Sequence, residues 1–426
     1  MGIDIICSDA VQWARDYDGP LFHALLCDPP YHLQSIVKRF GDKNSAPAQF
    51  GKDGVYARSS RGFMGKQWDG GDVSFHPDTW EAFMKVLHPG AFGMAFASSR
   101  GWHRLACAIE DAGFIIHPSI FGWVYSTGFP KATRVKADGF DGHRYGLQAL
   151  KPALEPIIVF QKPYEGRPID NIVATGAGAL NIDGARIGTD EILGRPQADQ
   201  HFFDGLANNE WNDNSTGKGR WPANFILLND AAADALDKQS GIQSGGFVRN
   251  RTDGARVFNN NGNDTGYHTD EIINEPDAGA SRFFFRVQEK IDTADPVYYE
   301  AKASGDERDA GAKGFPLQDG MKWTGGKYPD GTPRPPYSAH NSHPTVKPIS
   351  LACYLATLLL PPTEYQPRNL FVPFAGVASE CIGAMQAGWD EITGVELTEE
   401  YIPIAKARVE YWKNQGWQTS LFEESR

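Results

Sequence analysis

Short apolar runs alternate with segments of helical periodicity at both ends of the chain, but not in its middle. Ile3–Ile6 and Ala24–Cys27 are apolar runs that stop at turn residues, and Trp102–Ala112 has apolar residues at helical spacing before Gly113. Strands that alternate with helices of this length predict an α/β fold with a largely parallel sheet. The other predicted strands are Phe92–Ala97, Ile120–Tyr125, Ile157–Phe160, Asn224–Asn229, Asn369–Val372 and Ile392–Val395, and the other predicted helices are Thr79–Leu87, Ile349–Leu360, Ala378–Ala387 and one that begins at Thr398.

The segment 167–334 differs from both ends, because Gly, Asn and Asp accumulate there. It contains Asn208-Asn209 and the run Asn259-Asn260-Asn261-Gly262-Asn263, and its periodic segments are short. Long loops in compact domains usually either carry function or are disordered. We therefore predict one α/β domain assembled from both ends of the chain, with 167–334 as an inserted, loop-rich domain.

The overall charge argues against a chain that coats nucleic acid through bulk attraction. The 426 residues carry 41 Lys and Arg against 53 Asp and Glu, a net charge of −12, whereas phosphate binding depends on Lys and Arg. A local basic cleft remains compatible with this balance. The five scattered cysteines form no Cys-x-x-Cys pair, and no apolar run reaches membrane length, so we expect a soluble cytoplasmic protein with reduced thiols.

The tetrapeptide Asp28-Pro29-Pro30-Tyr31 follows a predicted strand, at the edge where α/β sheets bind ligands. Its two prolines fix the backbone and remove two N–H donors, so the loop presents the Asp28 carboxylate and the Pro29 carbonyl as acceptors. Tyr31 adds an aromatic face. Two acceptors beside a stacking ring suit a planar ring with an exocyclic amino group, such as adenine or cytosine. A structural turn that closes the strand is the alternative interpretation.

An Asp-Pro-Pro-Tyr sequence after a strand resembles motif IV of the DNA amino-methyltransferases, which methylate adenine N6 or cytosine N4. Later segments resemble further motifs of this family, in the order of its β class: motif IV, a variable region, then motifs X and I. Phe63–Asp69 and Ser126–Lys131 resemble segments of its phage and prophage members. The later segments are His343-Pro344-Thr345-Val346-Lys347-Pro348 (motif X), Pro373-Phe374-Ala375-Gly376-Val377-Ala378 (motif I), Gly394-Val395-Glu396-Leu397, and the helix with Glu400, Tyr401, Ala405 and Arg408.

The resemblance implies a Rossmann-like methyltransferase fold with a largely parallel sheet and a circularly permuted order of motifs. Residues 1–166 would form its catalytic half, 167–334 a target-recognition domain and 335–426 its cofactor-binding half. The resemblance also implies S-adenosyl-L-methionine as cofactor, DNA as partner, and a restriction-modification setting in the cytoplasm of a bacterial or phage-infected cell. A homodimer is an arrangement that the sequence leaves open.

For the site, the resemblance implies that Asp28 and the Pro29 carbonyl accept hydrogen bonds from the target amine, with the base flipped out of the duplex onto Tyr31. It assigns the ribose of the cofactor to Glu396 and the adenine to Asp9. A helix N-cap role for Asp9, and a helix-entry role for the prolines of motif X, are the alternatives. The implied cofactor-binding residues are Asp9, Thr345, Lys347, Phe374, Gly376 and Glu396.

Motif I departs from the family pattern, because Val372 replaces the usual Asp and Val377-Ala378 replace Ser-Gly. This departure leaves a non-catalytic DNA-binding relative as one alternative. A second alternative is an amino-methyltransferase that acts on RNA or protein. Asp28 favours adenine N6, since cytosine N4 enzymes more often carry Ser at that position. No cysteine follows a proline, which disfavours covalent methylation of cytosine C5. No ligand spacing implies a metal.

The loop after the tetrapeptide carries a local excess of cations. Residues 38–66 hold seven Lys and Arg against two Asp, a balance of +5, whereas 364–426 hold five bases against ten acids. We therefore predict a basic cleft on an acidic body, with a solvated surface as the alternative. The predicted DNA-binding residues are Lys38, Arg39, Lys52, Arg58, Arg61 and Lys66.

Overall fold

The structure, a computed structural model, describes residues 2–31, 72–124, 130–186, 222–227, 237–240, 247–251, 269–274, 285–286, 303, 305–319, 338–341, 343 and 345–415. The chain divides into two compact units. The first comprises Met1–Asn181, Asn224–Leu228 and Val287–Gln418, and the second comprises Ile182–Ala223, Asn229–Arg286 and Thr419–Arg426.

The strands of both units are numbered in chain order. They are β1 (Gly2–Cys7), β2 (Phe22–Cys27), β3 (Leu87–Phe96), β4 (Ile115–Ile116), β5 (Phe121–Val124), β6 (Lys131–Arg134), β7 (Arg144–Gln148), β8 (Leu154–Gln161), β9 (Phe225–Leu227), β10 (Phe247–Arg251), β11 (Thr269–Asn274), β12 (Phe285–Arg286), β13 (Gln318–Asp319), β14 (Ser338–Ala339), β15 (Asn369–Pro373) and β16 (Glu391–Glu396).

The helices are numbered in the same way, and 3-10 turns at Val73–Phe75, Asp183–Ala185, Thr363–Tyr365 and Glu399–Tyr401 accompany them. They are α1 (Ala10–Asp16), α2 (Pro77–Lys85), α3 (Trp102–Asp111), α4 (Pro168–Thr175), α5 (Gly305–Asp309), α6 (Ile349–Leu359), α7 (Ser379–Ala387) and α8 (Ile402–Asn414).

The main sheet of the first unit has the order β1-β16-β15-β2-β3-β8-β5-β9, with β4 beside β8. Every pair from β1 to β3 is parallel, β8 is antiparallel to β3, β4 and β5, and β5 pairs with β9 in parallel. The predicted α/β fold with a largely parallel sheet is thus confirmed. Since β15 and β16 lie between β1 and β2, both ends of the chain build one sheet. In the second unit, β10 and β11 form an antiparallel pair.

An aromatic core fixes the loop after β15 to the N-terminal part of the chain. The ring of Phe83 in α2 packs edge-on against Phe371 in β15 and against Phe374 in the following loop, with centroids 5.5 and 5.7 Å apart. Trp80, one turn earlier in α2, packs edge-on against Phe160 in β8 at 5.6 Å. Helix α2 therefore connects both halves of the sheet on one of its faces.

Two local details differ from the sequence prediction. The helix predicted as Thr79–Leu87 ends at Lys85, and His88-Pro89-Gly90 lies inside β3, because the register between β2 and β3 shifts there and Gly90 adopts a positive φ of 78°. Thr398 makes no capping bond with its side chain, and α8 begins only at Ile402. The backbone N–H of Thr398 donates instead to Glu396 Oε1 at 2.7 Å.

Candidate active site

The predicted catalytic and cofactor segments meet at one edge of the sheet. Strands β1, β16, β15 and β2 are parallel neighbours, so their carboxyl ends lie together, with Cys7 of β1 opposite Glu396 of β16. The tetrapeptide Asp28–Tyr31 follows β2, and the loop of motif I follows β15 at Pro373. This edge is where ligands bind in α/β sheets.

A hydrogen bond from Ser74 holds the tetrapeptide in place. Ser74 was not among the residues predicted from the sequence. The buried Ser74 hydroxyl donates to the Pro30 carbonyl at 2.6 Å. The indole Nε1 of Trp80 in turn donates to the Ser74 carbonyl at 2.9 Å. Because Trp80 belongs to the aromatic core, the position of the tetrapeptide is fixed by core packing.

Lys347 brings motif X into direct contact with the tetrapeptide. Its Nζ lies 2.5 Å from Asp28 Oδ2 and donates to Tyr31 Oη at 3.1 Å. It also lies 4.8 Å from the ring centroid of Phe96, at the end of β3. Burial disfavours the charged amine, but the nearby Asp28 and Glu155 carboxylates outweigh burial, so the pKa of Lys347 lies above its ordinary value.

Asp28 uses one carboxylate oxygen and leaves the other available. Oδ2 accepts the hydrogen bond from Lys347, whereas the buried Oδ1 has no hydrogen-bond partner among the residues that the structure describes. A buried acceptor without a partner costs free energy, and such atoms occur at sites that await a ligand. Burial, with Asp28 and Glu155 nearby, holds the pKa of the Tyr31 hydroxyl well above its ordinary value, so Tyr31 stays neutral.

Two further acids at the site, Glu155 and Glu380, were not predicted from the sequence. Glu155 reaches it because β8 runs antiparallel to β3, which brings the start of β8 to the carboxyl edge of the sheet. Its Oε2 accepts from Tyr31 Oη at 3.5 Å and lies 3.8 Å from Lys347 Nζ. Glu380 lies in the first turn of α7, where burial, then the Asp28 charge, raises its pKa to about 7. An acid inside an otherwise apolar strand or helix is the signal that identifies both residues.

The loop of motif I has a left-handed backbone at Phe374, Gly376 and Ala378, with φ of 59°, 53° and 66°. A Cβ on Gly376 would lie 3.0 Å from the His343 ring, so both the conformation and the limited space at this position favour glycine. Ala378 adopts the conformation that glycine favours, and the loop therefore keeps this shape without a second glycine.

Glu396 is tied to the loop of motif I by its own carboxylate. Oε2 accepts from the Gly376 N–H at 2.9 Å, and Oε1 accepts from the Thr398 N–H at 2.7 Å. Arg408, whose side chain is fully buried, supports the same loop from α8 by donating to the Val377 carbonyl at 2.5 Å. Burial lowers the pKa of Arg408 to about 10, which leaves the guanidinium charged at neutral pH.

Motif X is braced by α5, a short helix that was not predicted from the sequence. Arg308 Nη2 donates to the His343 carbonyl at 2.7 Å, and Glu307 Oε1 accepts from the Ile349 N–H at 2.6 Å. The two carboxylate oxygens of Asp309 accept from the N–H groups of His340 and Asn341. This helix lies within 167–334 in sequence, and it belongs to the first unit.

The remaining predicted residues have the following positions. Asp9 caps α1, since its Oδ1 accepts from the N–H groups of Val11 and Gln12 at 2.9 Å. The Thr345 N–H donates to His343 Nδ1 at 3.3 Å. Their cofactor contacts stay predictions, as do the domain boundaries at 166 and 334. The predicted DNA-binding residues, Lys38, Arg39, Lys52, Arg58, Arg61 and Lys66, lie outside the described residues.

Within the described parts of the chain, no three His, Cys, Asp or Glu side chains are grouped so that they could hold a metal ion. Of the helices that the structure describes, none combines the length and the apolar character needed to cross a membrane.

Comparison with known proteins gives one similar sequence and several similar structures. No family model matches the chain. Type II methyltransferase M.HindIII of Haemophilus influenzae is 24% identical over 197 residues, which are 41% of this chain and 63% of the relative. The match thus spans less than two thirds of the length of that protein.

Two solved structures superpose on nearly the whole chain at low identity. The M1.HpyAVI–SAM complex has 12% identity and a TM-score of 0.36, and the alignment covers 96% of this chain and 98% of the other. PvuII DNA methyltransferase (cytosine-N4-specific) has 9% identity and a TM-score of 0.40, with coverages of 97% and 91%. Because both TM-scores are below 0.5, the fold assignment depends on the strand order of this chain alone.

Proposed function

We propose that the protein is an S-adenosyl-L-methionine-dependent methyltransferase that acts on the exocyclic amino group of a DNA base, with adenine N6 preferred to cytosine N4. The observation that carries this proposal is the Asp28 carboxylate, held by Lys347 through Oδ2 and without a partner on Oδ1 among the described residues. The order of the motifs and the similarity to a type II methyltransferase support it.

In this proposal Asp28 prepares the amine for attack. The lone pair of an amino group on a base is delocalised into the ring, which makes the nitrogen a weak nucleophile. A hydrogen bond to Asp28 Oδ1, with a second to the Pro29 carbonyl, favours a localised lone pair and fixes its direction. Tyr31 offers a face for the flipped base. The bond from Ser74 to Pro30 keeps these acceptors in position.

The loop after β15 fits the cofactor. S-adenosyl-L-methionine supplies a methyl group on a sulfonium, which a nucleophile can displace directly. Gly376 allows close backbone approach, and each Glu396 oxygen keeps a second lone pair for a ribose hydroxyl beside its one N–H partner. Asp9, Thr345, Lys347 and Phe374 complete the proposed cofactor set, and Lys347 contacts Asp28 as well.

Methylation-sensitive sequencing tests the reaction and the base together. DNA from cells that express the wild type is compared with DNA from cells that express Asp28→Ala. We expect modified adenines in a fixed sequence context, absent with the variant. If only cytosines are modified, the target base is cytosine and not adenine. Identical modification patterns from both proteins would refute methyl transfer to DNA.

Titration calorimetry with S-adenosyl-L-methionine separates an enzyme from a non-catalytic DNA-binding relative. We expect both the wild type and Asp28→Ala to bind, because Asp28 is proposed to face the amine. Gly376→Ala should bind more weakly, since its Cβ would contact His343. Absence of binding by the wild type would favour the non-catalytic alternative.

A further inference from the structure

Lys347 lies between two carboxylates of the site. Its Nζ is 2.5 Å from Asp28 Oδ2 and 3.8 Å from Glu155 Oε2. The side chains are largely buried, with exposures of 6% for Lys347, 15% for Asp28 and 18% for Glu155. A movement of about one ångström would therefore bring Nζ from Asp28 to hydrogen-bonding distance of Glu155.

We propose that Glu155 is a positioning residue that takes over the Lys347 ammonium when Asp28 accepts a proton from the methylated amine. This inference rests on the proposed function. In the transfer, the nitrogen lone pair forms the bond to the methyl carbon, and the pair of the broken C–S bond stays on sulfur. One N–H proton then passes to Asp28 Oδ1, its bonding pair stays on nitrogen, and Asp28 becomes neutral.

The need for Glu155 follows from burial. Once Asp28 is neutral, the buried Lys347 ammonium loses the charge it contacts most closely, and a buried charge without a counter-ion is strongly unfavourable. Glu155 supplies that charge 3.8 Å away. Tyr31 Oη, 3.1 Å from Nζ and 3.5 Å from Glu155 Oε2, connects the two positions. Proton acceptance by Asp28 is therefore easier with Glu155 present.

Among the residues that the structure describes, Cys27, Tyr31 and Glu380 are further titratable groups that act on this cluster. Burial holds the pKa values of the Cys27 thiol and the Tyr31 hydroxyl well above their ordinary values, so both are neutral. Glu380 is a further carboxyl group whose charge acts on Lys347. Glu380 is therefore the competing counter-ion for the Lys347 ammonium. The Glu380→Gln variant distinguishes its contribution from that of Glu155.

A kinetic series tests the role of Glu155. We expect Glu155→Gln to lower kcat on the order of 10- to 100-fold, with KM values for DNA and cofactor within about threefold of the wild type. In a Lys347→Met background, Glu155→Gln should lower kcat much less than it does in the wild type, because no buried ammonium then needs a counter-ion. This comparison holds whatever Lys347→Met itself costs. A structural defect would lower kcat equally in both backgrounds.

Two comparisons control this series. Glu110→Gln, an exposed carboxylate on α3, should leave kcat unchanged. If the effect of Glu380→Gln on kcat depends on Lys347 while the effect of Glu155→Gln does not, the assignment to Glu155 is wrong. An equal loss from Glu155→Gln with and without Lys347 would also overturn it.

A readout without methyl transfer keeps the inference testable by itself. Asp28→Asn imitates the neutral, protonated Asp28. The effect of Glu155→Gln on urea unfolding is then measured in the Asp28→Asn background and in the wild-type background. We expect the unfolding equilibrium constant to rise about tenfold more in the Asp28→Asn background. The difference should vanish when Lys347→Met is present in both backgrounds. Additive effects would overturn the inference even if DNA methylation is established. If the effects of Glu155→Gln and Asp28→Asn on stability are coupled but the protein methylates no substrate, the proposed function is refuted. The role of Glu155 in methyl transfer is refuted with it.

Discussion

Glu380 shows how one buried acid links the stability of this protein to pH. It is 4% exposed in α7, and its Oε1 has no hydrogen-bond partner within the described residues. Burial and the charge of Asp28 raise its pKa to about 7, although Lys347 and Arg408 act in the opposite direction. The folded chain therefore holds a proton on Glu380 at pH values at which the unfolded chain has already released it.

We predict that this group makes the protein less stable as the pH rises. Because the folded pKa lies above the unfolded value of about 4.5, the stabilisation is complete below pH 4.5, declines from there to about pH 7, and changes no further above it. Glu380→Gln cannot titrate, so its free energy of unfolding should decline less over this range. Urea unfolding of both proteins at several pH values measures the difference. Parallel pH dependences of the two proteins would contradict the prediction.

At the scale of the elements, the sequence predicted most strands and helices near their observed positions. The runs Ala24–Cys27 and Ile157–Phe160 form the cores of β2 and β8, because a buried strand needs only a short apolar run. Pro89 and Gly90 predict a turn, and instead a register shift accommodates them inside β3. The local sequence shows which residues can interrupt the hydrogen bonds between two strands. Whether the strand continues past them depends on its pairing with the neighbouring strand.

The sequence singled out residues of the candidate site but not the contacts between them. Motif resemblance pointed to both Asp28 and Lys347, yet the bond between them joins residues 319 positions apart and depends on β15 lying beside β2. Glu155 stands out as an acid in an apolar strand, but the sequence does not place it at the carboxyl edge, because that position follows from the antiparallel direction of β8. Neither the contact between Asp28 and Lys347 nor the direction of β8 produces a periodic pattern in a single sequence.

The contact between α6 and α7 yields a prediction for Gly383. A Cβ there would lie 2.5 Å from the Ala352 Cβ and 2.6 Å from the backbone of Ala352 and Cys353. Overpacking of this kind costs about 1–3 kcal/mol, while alanine gains about 1 kcal/mol in helix propensity. Since backbone atoms cannot move aside, we expect Gly383→Ala to lower Tm by several degrees, measured by differential scanning calorimetry. Gly305→Ala is the matched control, because beyond its own helix and chain neighbours no described atom lies within 4 Å of the added Cβ. A higher Tm for Gly383→Ala would refute the close contact.

For the whole molecule, the sheet built from both chain ends explains how motifs distant in sequence reach one site. Strands β15 and β16 come from the acidic C-terminal segment and lie between β1 and β2, so the proposed cofactor loop directly adjoins Asp28. The cationic segment 38–66 follows the tetrapeptide in sequence. The net charge of −12 is therefore unevenly distributed along the chain, with the positive segment adjacent to the residues proposed to act on a base.

This distribution predicts a DNA affinity that depends steeply on salt. If the six proposed cations bind phosphates, the affinity should fall on the order of 10³-fold between about 50 and 200 mM salt, through release of counter-ions. Arg58→Ala/Arg61→Ala should reduce the slope of log K against log salt by about two, because each arginine that no longer neutralises a phosphate lowers it by about 0.9. Fluorescence anisotropy with a labelled duplex measures both slopes. Lys413→Ala, an exposed lysine on α8 in the acidic segment, is the control and should keep the wild-type slope. Equal slopes for the wild type and the Arg58/Arg61 variant would place the DNA-binding residues elsewhere in the chain.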